Sequence, residues 1–320
     1  MPYGTTYNVD TLEQLTSHES YGRALVELGA AHPEVVVLTA DLSRSTRATD
    51  FFAAFPERSF NLGIAEQNMV GAAAGFAASG FLPFVINIAT FQTMRSFEQI
   101  RSDFGYPGLK GVFMSIWSGL SGGYVGATHH AIEDLALMRL IPNMAVVAPA
   151  NADDTAAATR AAYDHPGPVY LRIASGTAPS GAEDRPFTIG TAAVTREGGD
   201  ATVITCGPQI AAANRAASRL ADDGIDVRVL YCHTVKPLDV AAVLAAARET
   251  RAILTVEDHT VIGGLGGAVA ETLAEAGVAT PLTRLGVPDV YAPIGHAAEL
   301  YAHFGYDADG IVAAVRRALR

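Results

Sequence analysis

Phe60 to Phe104 reads FNLGIAEQNMVGAAAGFAASGFLPFVINIATFQTMRSFEQIRSDF, and this stretch decides the fold. A short apolar approach, Phe60 to Ile64, delivers one carboxylate, Glu66. A helix of very small residues follows. Next comes a hydrophobic strand over Leu82 to Ala89, then a turn at Thr90 that opens an aromatic-bearing helix with Phe91 and Phe97. In the small helix, Gly71 and Gly75 sit among Ala72, Ala73, Ala74, Ala77 and Ala78. Glycine inside a helix costs roughly 1 kcal/mol relative to alanine. A chain that accepts this cost twice is expected to let another backbone approach closely. Taken alone, Glu66 is a first-turn acid favoured by the helix dipole. Its setting, one acid in an apolar run with a strand and aromatics just downstream, makes it a candidate for chemistry.

Outward from this stretch, strands and helices alternate, which predicts an α/β fold with mainly parallel sheets. Upstream, a helix over Glu19 to Ala31 precedes a buried strand, Glu34 to Thr39. Downstream, Gly111 to Ile116, Met144 to Ala148 and Val169 to Ile173 read as strands, with helices over Ile132 to Ile141 and Asp153 to Tyr163. Ser175 to Gly190 is rich in Gly, Pro and Ser and reads as a linker. A second α/β unit follows. Its strands are Ala201 to Cys206, Asp226 to Tyr231 and Ala252 to Val256. Its helices are Gln209 to Asp222, Val240 to Ala247, Gly266 to Ala276 and Gly310 to Leu319. The expected domains are therefore 1–176 and 191–320, joined by 177–190.

The chain has 320 residues, 49% of them hydrophobic and 17% charged, which suits two ordinary domains. A net charge of −11 without a basic cluster argues against nucleic acid or an anionic membrane as partner. The polar N-terminus lacks the pattern of a signal peptide, so a cytoplasmic protein is expected. Cys206 and Cys232 fall in strand-like runs and read as reduced core residues. The glycines of EDHTVIGGLGGAV do not meet the dinucleotide spacing, and no metal site is expected within this chain.

GIAEQNM, the small-residue helix and PFVINIATF together resemble the pyrimidine-binding domain of the transketolase family, whose members use thiamine diphosphate. The resemblance continues through GGYVGATHHAIEDLALMRLIPNMAVVAPAN and GPVYLRIASG, and then TVEDHTVIGGLGGAVAETL, in family order. It implies a pyrimidine-binding domain followed by a transketolase C-terminal domain. It also implies that Glu66 hydrogen-bonds the cofactor's aminopyrimidine, work that suits a carboxyl group in a dry pocket. Phe91, Met94 and Phe97 would wall that ring, with Met94 standing where a second aromatic is common. Ordinary core packing explains such a stripe equally well without the resemblance. Asp41, just past a strand, matches an Asp near the cofactor across a subunit interface. Ser45 matches a serine that helps hold a substrate phosphate. A turn with an Asp or Ser cap is the plain alternative for both.

The resemblance further places His129, not His130, facing the reacting carbon and the substrate hydroxyls. Arg172 matches a phosphate-binding Arg. Departures are equally specific. Trp117 and Ser118 stand where other members carry His and Asp, and Tyr124 and Val125 replace an acidic pair. His18 stands where an Arg contacts phosphate. Trp117 and His18 thus occupy substrate positions with altered chemistry, which points to a sugar lacking a phosphate or carrying another anion. No GDG occurs in the chain. The diphosphate and Mg²⁺ contacts are therefore expected from an N-terminal partner subunit, most simply in an α2β2 assembly. On this reading the chain is half of a split transketolase that moves a two-carbon ketol unit from a ketose to an aldose. The alternatives are the β subunit of a 2-oxo acid dehydrogenase, a deoxyxylulose phosphate synthase-like enzyme, or a non-catalytic partner-binding homologue.

Overall fold

Three apolar runs, VVVLT, LPFVINI and VFMSI, form the middle of the first sheet. Each is buried along its whole length, as expected of parallel strands covered by helices on both faces. They are β1 (Val35–Thr39), β3 (Leu82–Ile88) and β4 (Val112–Ile116), with β2 (Ser59–Asn61) between the first two in sequence. β5 (Ala145–Val147) and β6 (Val169–Arg172) complete the parallel set. The computed structural model describes residues 17–174, 180–182 and 185–320.

The second half supplies β7 (Ala193–Arg196), β8 (Ala201–Thr205), β9 (Val227–Tyr231), β10 (Thr234–Lys236), β11 (Ile253–Thr260) and β12 (Leu282–Val287). The first sheet has the order β10-β5-β6-β4-β3-β1-β2 and the second β12-β11-β8-β9-β7. Both are parallel except at one edge: β10 runs antiparallel to β5, and β7 antiparallel to β9. β10 thus leaves the second half of the chain to finish the first sheet. The segment between the halves falls partly outside the described residues. Within its described part, Phe187 stacks on His233 with ring centroids 3.9 Å apart.

Three local expectations are revised. β11 runs on through Glu257, Asp258 and His259 to Thr260, because these polar residues find partners inside the protein. β12 lies at a sheet edge with a half-exposed pattern, so its apolar signal is weak. The aromatic helix is not one regular helix. Phe91–Arg95 and Ile100–Gly105 are π-helical, and Phe97–Gln99 between them is α-helical. Along the small-residue helix Glu66–Ala78, a Cβ at Gly71 or Gly75 would meet nothing within 4 Å among the described residues, so that face is open to another chain as far as these residues go.

Cys206 and Cys232 are free and buried, and burial pushes the Cys232 thiol up to about 12. Among the described residues, no helix is long and apolar enough to cross a membrane.

Candidate active site

β1 and β3 are adjacent, and their exits diverge. The chain leaves β1 towards β2 at one edge, and leaves β3 towards β4 on the other side. Such a point of divergence leaves a crevice at the carboxyl ends of the strands. Asp41 follows β1, Phe91 follows β3 and Trp117 follows β4, so sequence positions far apart converge on one end of the sheet. Glu66 arrives from β2 through a short turn. Asn61 shapes that turn: its Oδ1 accepts the N–H of Asp41 at 2.9 Å and of Gly63 at 3.1 Å, and its Nδ2 donates to Asp41 Oδ1 at 3.0 Å. Asp41 holds φ +60, a left-handed backbone that Asp tolerates better than most residues.

Glu66 opens its helix with the residue only 6% exposed. Its Oε1 accepts from Arg95 Nη1 at 2.5 Å. The same guanidinium lies over the Phe91 ring, 3.9 Å from the centroid. A planar, N–H-bearing group therefore reaches the buried carboxylate and stacks on the aromatic face at once. Arg95 is not among the residues expected from the sequence. Its spacing of four from Phe91, within one π-helical turn, sets the two side chains on the same face.

Phe91 touches the next part of the cluster, with its ring 5.1 Å from His129 and edge-on. His129 lies 5.7 Å from Trp117, and Trp117 lies 6.2 Å from Tyr124. Tyr124 in turn faces His296 from the second half at 6.5 Å. The loop carrying His129 is tied to the π-helix: Thr90 Oγ1 donates to the Thr128 carbonyl at 3.0 Å. His129 Nδ1 is 2.8 Å from Thr128 Oγ1, which leaves Nε2 as the ring nitrogen for a ligand. Burial, then the charge of Arg95 and then His130, pull the His129 pKa below its usual 6.5, so the ring is neutral at neutral pH. His130 has a different task. It is 3% exposed, and its Nε2 donates to the Gly123 carbonyl at 2.9 Å, bracing the loop from inside.

Other expected site residues separate from this cluster. Phe97 packs with the Met69 and Val70 core on the small-helix side, whereas Phe91 packs with the opposite core. Met94 is 41% exposed. The two aromatics therefore do not form one wall within this chain. Ser45 is exposed in the turn after β1. The side chain of His18 lies outside the described residues. Arg172 is corrected. It is 2% exposed, its Nε donates to Asp134 Oδ2 at 2.8 Å, and its Nη2 donates to the Asp258 carbonyl at 2.7 Å. A guanidinium so enclosed ties the two halves together and does not present itself to a substrate phosphate.

Residues 13–179 match the transketolase pyrimidine binding domain and residues 190–311 match the transketolase C-terminal domain. The chain belongs to the transketolase family. It is similar to one of the subunits of the apulose-4-phosphate transketolase of Phocaeicola vulgatus, 37% identical over 93% of this chain and 95% of that one. It is also similar to a 6-deoxy-6-sulfo-D-fructose transketolase subunit of a Clostridium species, 38% identical over 95% and 94% of the two chains. Among solved structures, a split gene transketolase described as an inactive beta4 tetramer superimposes with a TM-score of 0.86. It is 43% identical over 96% of this chain and 98% of its own. This transketolase chain thus carries the pyrimidine-binding and C-terminal domains, and relatives that it matches over nearly their whole length are transketolase subunits, which are transferases.

Proposed function

We propose that this chain is the C-terminal subunit of a split transketolase and supplies the proton-handling half of a thiamine diphosphate site. Its substrate would be a ketose, from which a two-carbon ketol unit passes to an aldose. The observation that carries the site assignment is the Arg95 guanidinium. It bridges Glu66 and Phe91 in the manner required of an aminopyrimidine, which has a planar π-face and an N–H edge. The residues present therefore fit that end of the cofactor. When bound, thiamine diphosphate supplies the carbon nucleophile that carries the ketol unit.

This chain's own residues do the rest. Glu66, shielded from water, holds a proton against a ring nitrogen, a task strengthened by low local dielectric. Arg95 must leave Glu66 for that contact to form, and its half-exposed side chain has room to swing out. His129, neutral and backed by Phe91 and Trp117, orients substrate hydroxyls and accepts or donates a proton through Nε2. Trp117 and Tyr124 offer the sugar apolar faces where charge is more usual in the family. With Arg172 enclosed, a terminal anion on the sugar would have to be met by the partner or by residues other than Arg172.

The diphosphate and Mg²⁺ would be held by an N-terminal subunit, because the chain lacks a GDG sequence. An α2β2 assembly is the simplest arrangement. The open glycine face of helix Glu66–Ala78 supports a partner backbone there.

The test is product analysis. This chain is purified with a GDG-bearing partner and supplied with thiamine diphosphate, Mg²⁺ and a panel of phosphorylated and unphosphorylated ketoses. Ketol transfer to an aldose is expected. Decarboxylation of pyruvate without ketol transfer would replace this reading with a 2-oxo acid reaction.

A further inference from the structure

The loop that carries Tyr124 and His129 is closed at its base by a reciprocal pair. Gly119 N–H donates to the Ala131 carbonyl and Ala131 N–H to the Gly119 carbonyl, both at 3.0 Å. What fixes this base in place comes from β11, in the other half of the chain. The Asp258 carboxylate accepts the Leu120 N–H with both oxygens, at 3.0 and 3.1 Å. It also accepts Tyr306 Oη at 3.0 Å and Tyr301 Oη at 2.9 Å. Asp258 is 1% exposed. A carboxylate taken out of water at this depth needs such donors to remain there. The fit is close. Gly119 has φ +61, and a Cβ added there would lie 2.2 Å from Asp258 Oδ2. Arg172 adds a strap across the same joint, from the Asp258 carbonyl to the Ala131 carbonyl at 3.4 Å.

We infer that Asp258, through the Leu120 N–H, is a positioning residue for His129. On this view the second domain sets the geometry of the active-site loop as well as shaping the assembly. The catalytic consequence rests on the transketolase reading above; the positioning itself does not. Asp258 touches no atom proposed to react. It acts by holding one end of a loop whose other contacts to the site, Thr128 on Thr90 and His129 on Phe91, reach across the crevice. A loop freed at its base would keep those residues but lose their register, and small misplacements of catalytic groups are costly to rate.

The experiment compares the wild-type chain with Asp258→Asn, and with Gly119→Ala as a second disturbance from the loop side. Backbone hydrogen exchange is read at residues 119–131 in the full chain. In the assembled enzyme, kcat, KM and cofactor affinity are read. Both variants are expected to speed exchange in the loop about tenfold or more. Exchange in β8 and β9 should stay unchanged, and so should cofactor affinity. kcat should fall about tenfold or more. Unchanged loop exchange in a folded variant would overturn the inference. So would acceleration spread evenly over the second domain, which marks a purely structural residue. If loop exchange changes as expected while even the wild-type pair transfers no ketol unit, the positioning stands and the functional reading fails.

Discussion

Glu66 and Arg95 are separated by a helix and a strand in sequence, yet they meet at 2.5 Å beside a neutral histidine. Glu66→Gln preserves the shape of the carboxyl but cannot exchange a proton. In the assembled enzyme it should lower kcat by about 10²–10⁴, the range typical of a lost acid–base group, while the complex still forms. Arg95→Met removes the competitor for Glu66 and should tighten cofactor binding; unchanged or weaker affinity in a cofactor titration would show that Arg95 does not compete. His129 gives a pH signature. Its folded-state pKa is lowered from 6.5, so the active neutral form persists until the pH falls below that value. The acid limb of kcat/KM should therefore lie below pH 6.5 and vanish in His129→Asn. Glu66, Phe91 and His129 are legible in the sequence because each follows a strand end or a glycine-rich turn in a family motif. Arg95 is not: its spacing of four from Phe91 puts the two on one helix face, but no local pattern says that its guanidinium reaches the distant Glu66. Arg172 misleads because its partners Asp134 and Asp258 are 38 and 86 residues away, beyond any local pattern.

The helix Glu66–Ala78 shows how an element can be legible in kind and not in partner. Its small residues promise a close approach, and the described residues of this chain bring nothing to Gly71 or Gly75. Gly71→Trp should consequently leave the isolated chain folded and abolish association with the partner subunit, as read by thermal melting and size-exclusion chromatography. Strand β11 teaches the converse. Its apolar start is evident, but its burial of Glu257, Asp258 and His259 depends on donors from other elements. Two are the N–H groups of Leu265 and Gly266, which bind Glu257 at 2.6 and 2.8 Å. At the same joint, Arg172→Leu would strand Asp134, which is 0% exposed, without its counter-charge. Removing one partner of a buried pair costs about 3–5 kcal/mol. The urea midpoint should drop accordingly, whereas a residue serving only a substrate phosphate would raise KM and leave stability alone.

At the scale of the whole molecule, the two halves are joined by β10 in the first sheet, by the Asp258 and Arg172 contacts and by Phe187 on His233. A Gly- and Pro-rich segment divides the chain plainly in the sequence. β10 is hidden there, because three residues, TVK, carry too little periodicity to announce a change of sheet. Burial lowers the His233 pKa to about 4 from 6.5. The unfolded chain takes up a proton at His233 below about pH 6.5 that the folded chain refuses until about pH 4, so stability is lost across that window. The contribution is about 3 kcal/mol. His233→Phe, which can keep the stack on Phe187, should flatten the acid arm of Tm against pH relative to wild type. A groove of about 410 Å³ between Ala136, Leu140, Ile262 and Val290 lies outside the crevice.

If this chain brings an indispensable catalytic half-site to a partner, the two subunits must be active only together. A titration of this chain into a fixed amount of the diphosphate-binding subunit decides the matter, with thiamine diphosphate and Mg²⁺ present and ketol transfer as the readout. Neither chain alone should transfer the unit, and the rate should saturate at equal subunit numbers. Glu66→Gln should join the complex with the same stoichiometry and yield almost no product. Full transfer by the partner alone, or an active complex containing Glu66→Gln, would contradict the half-site role.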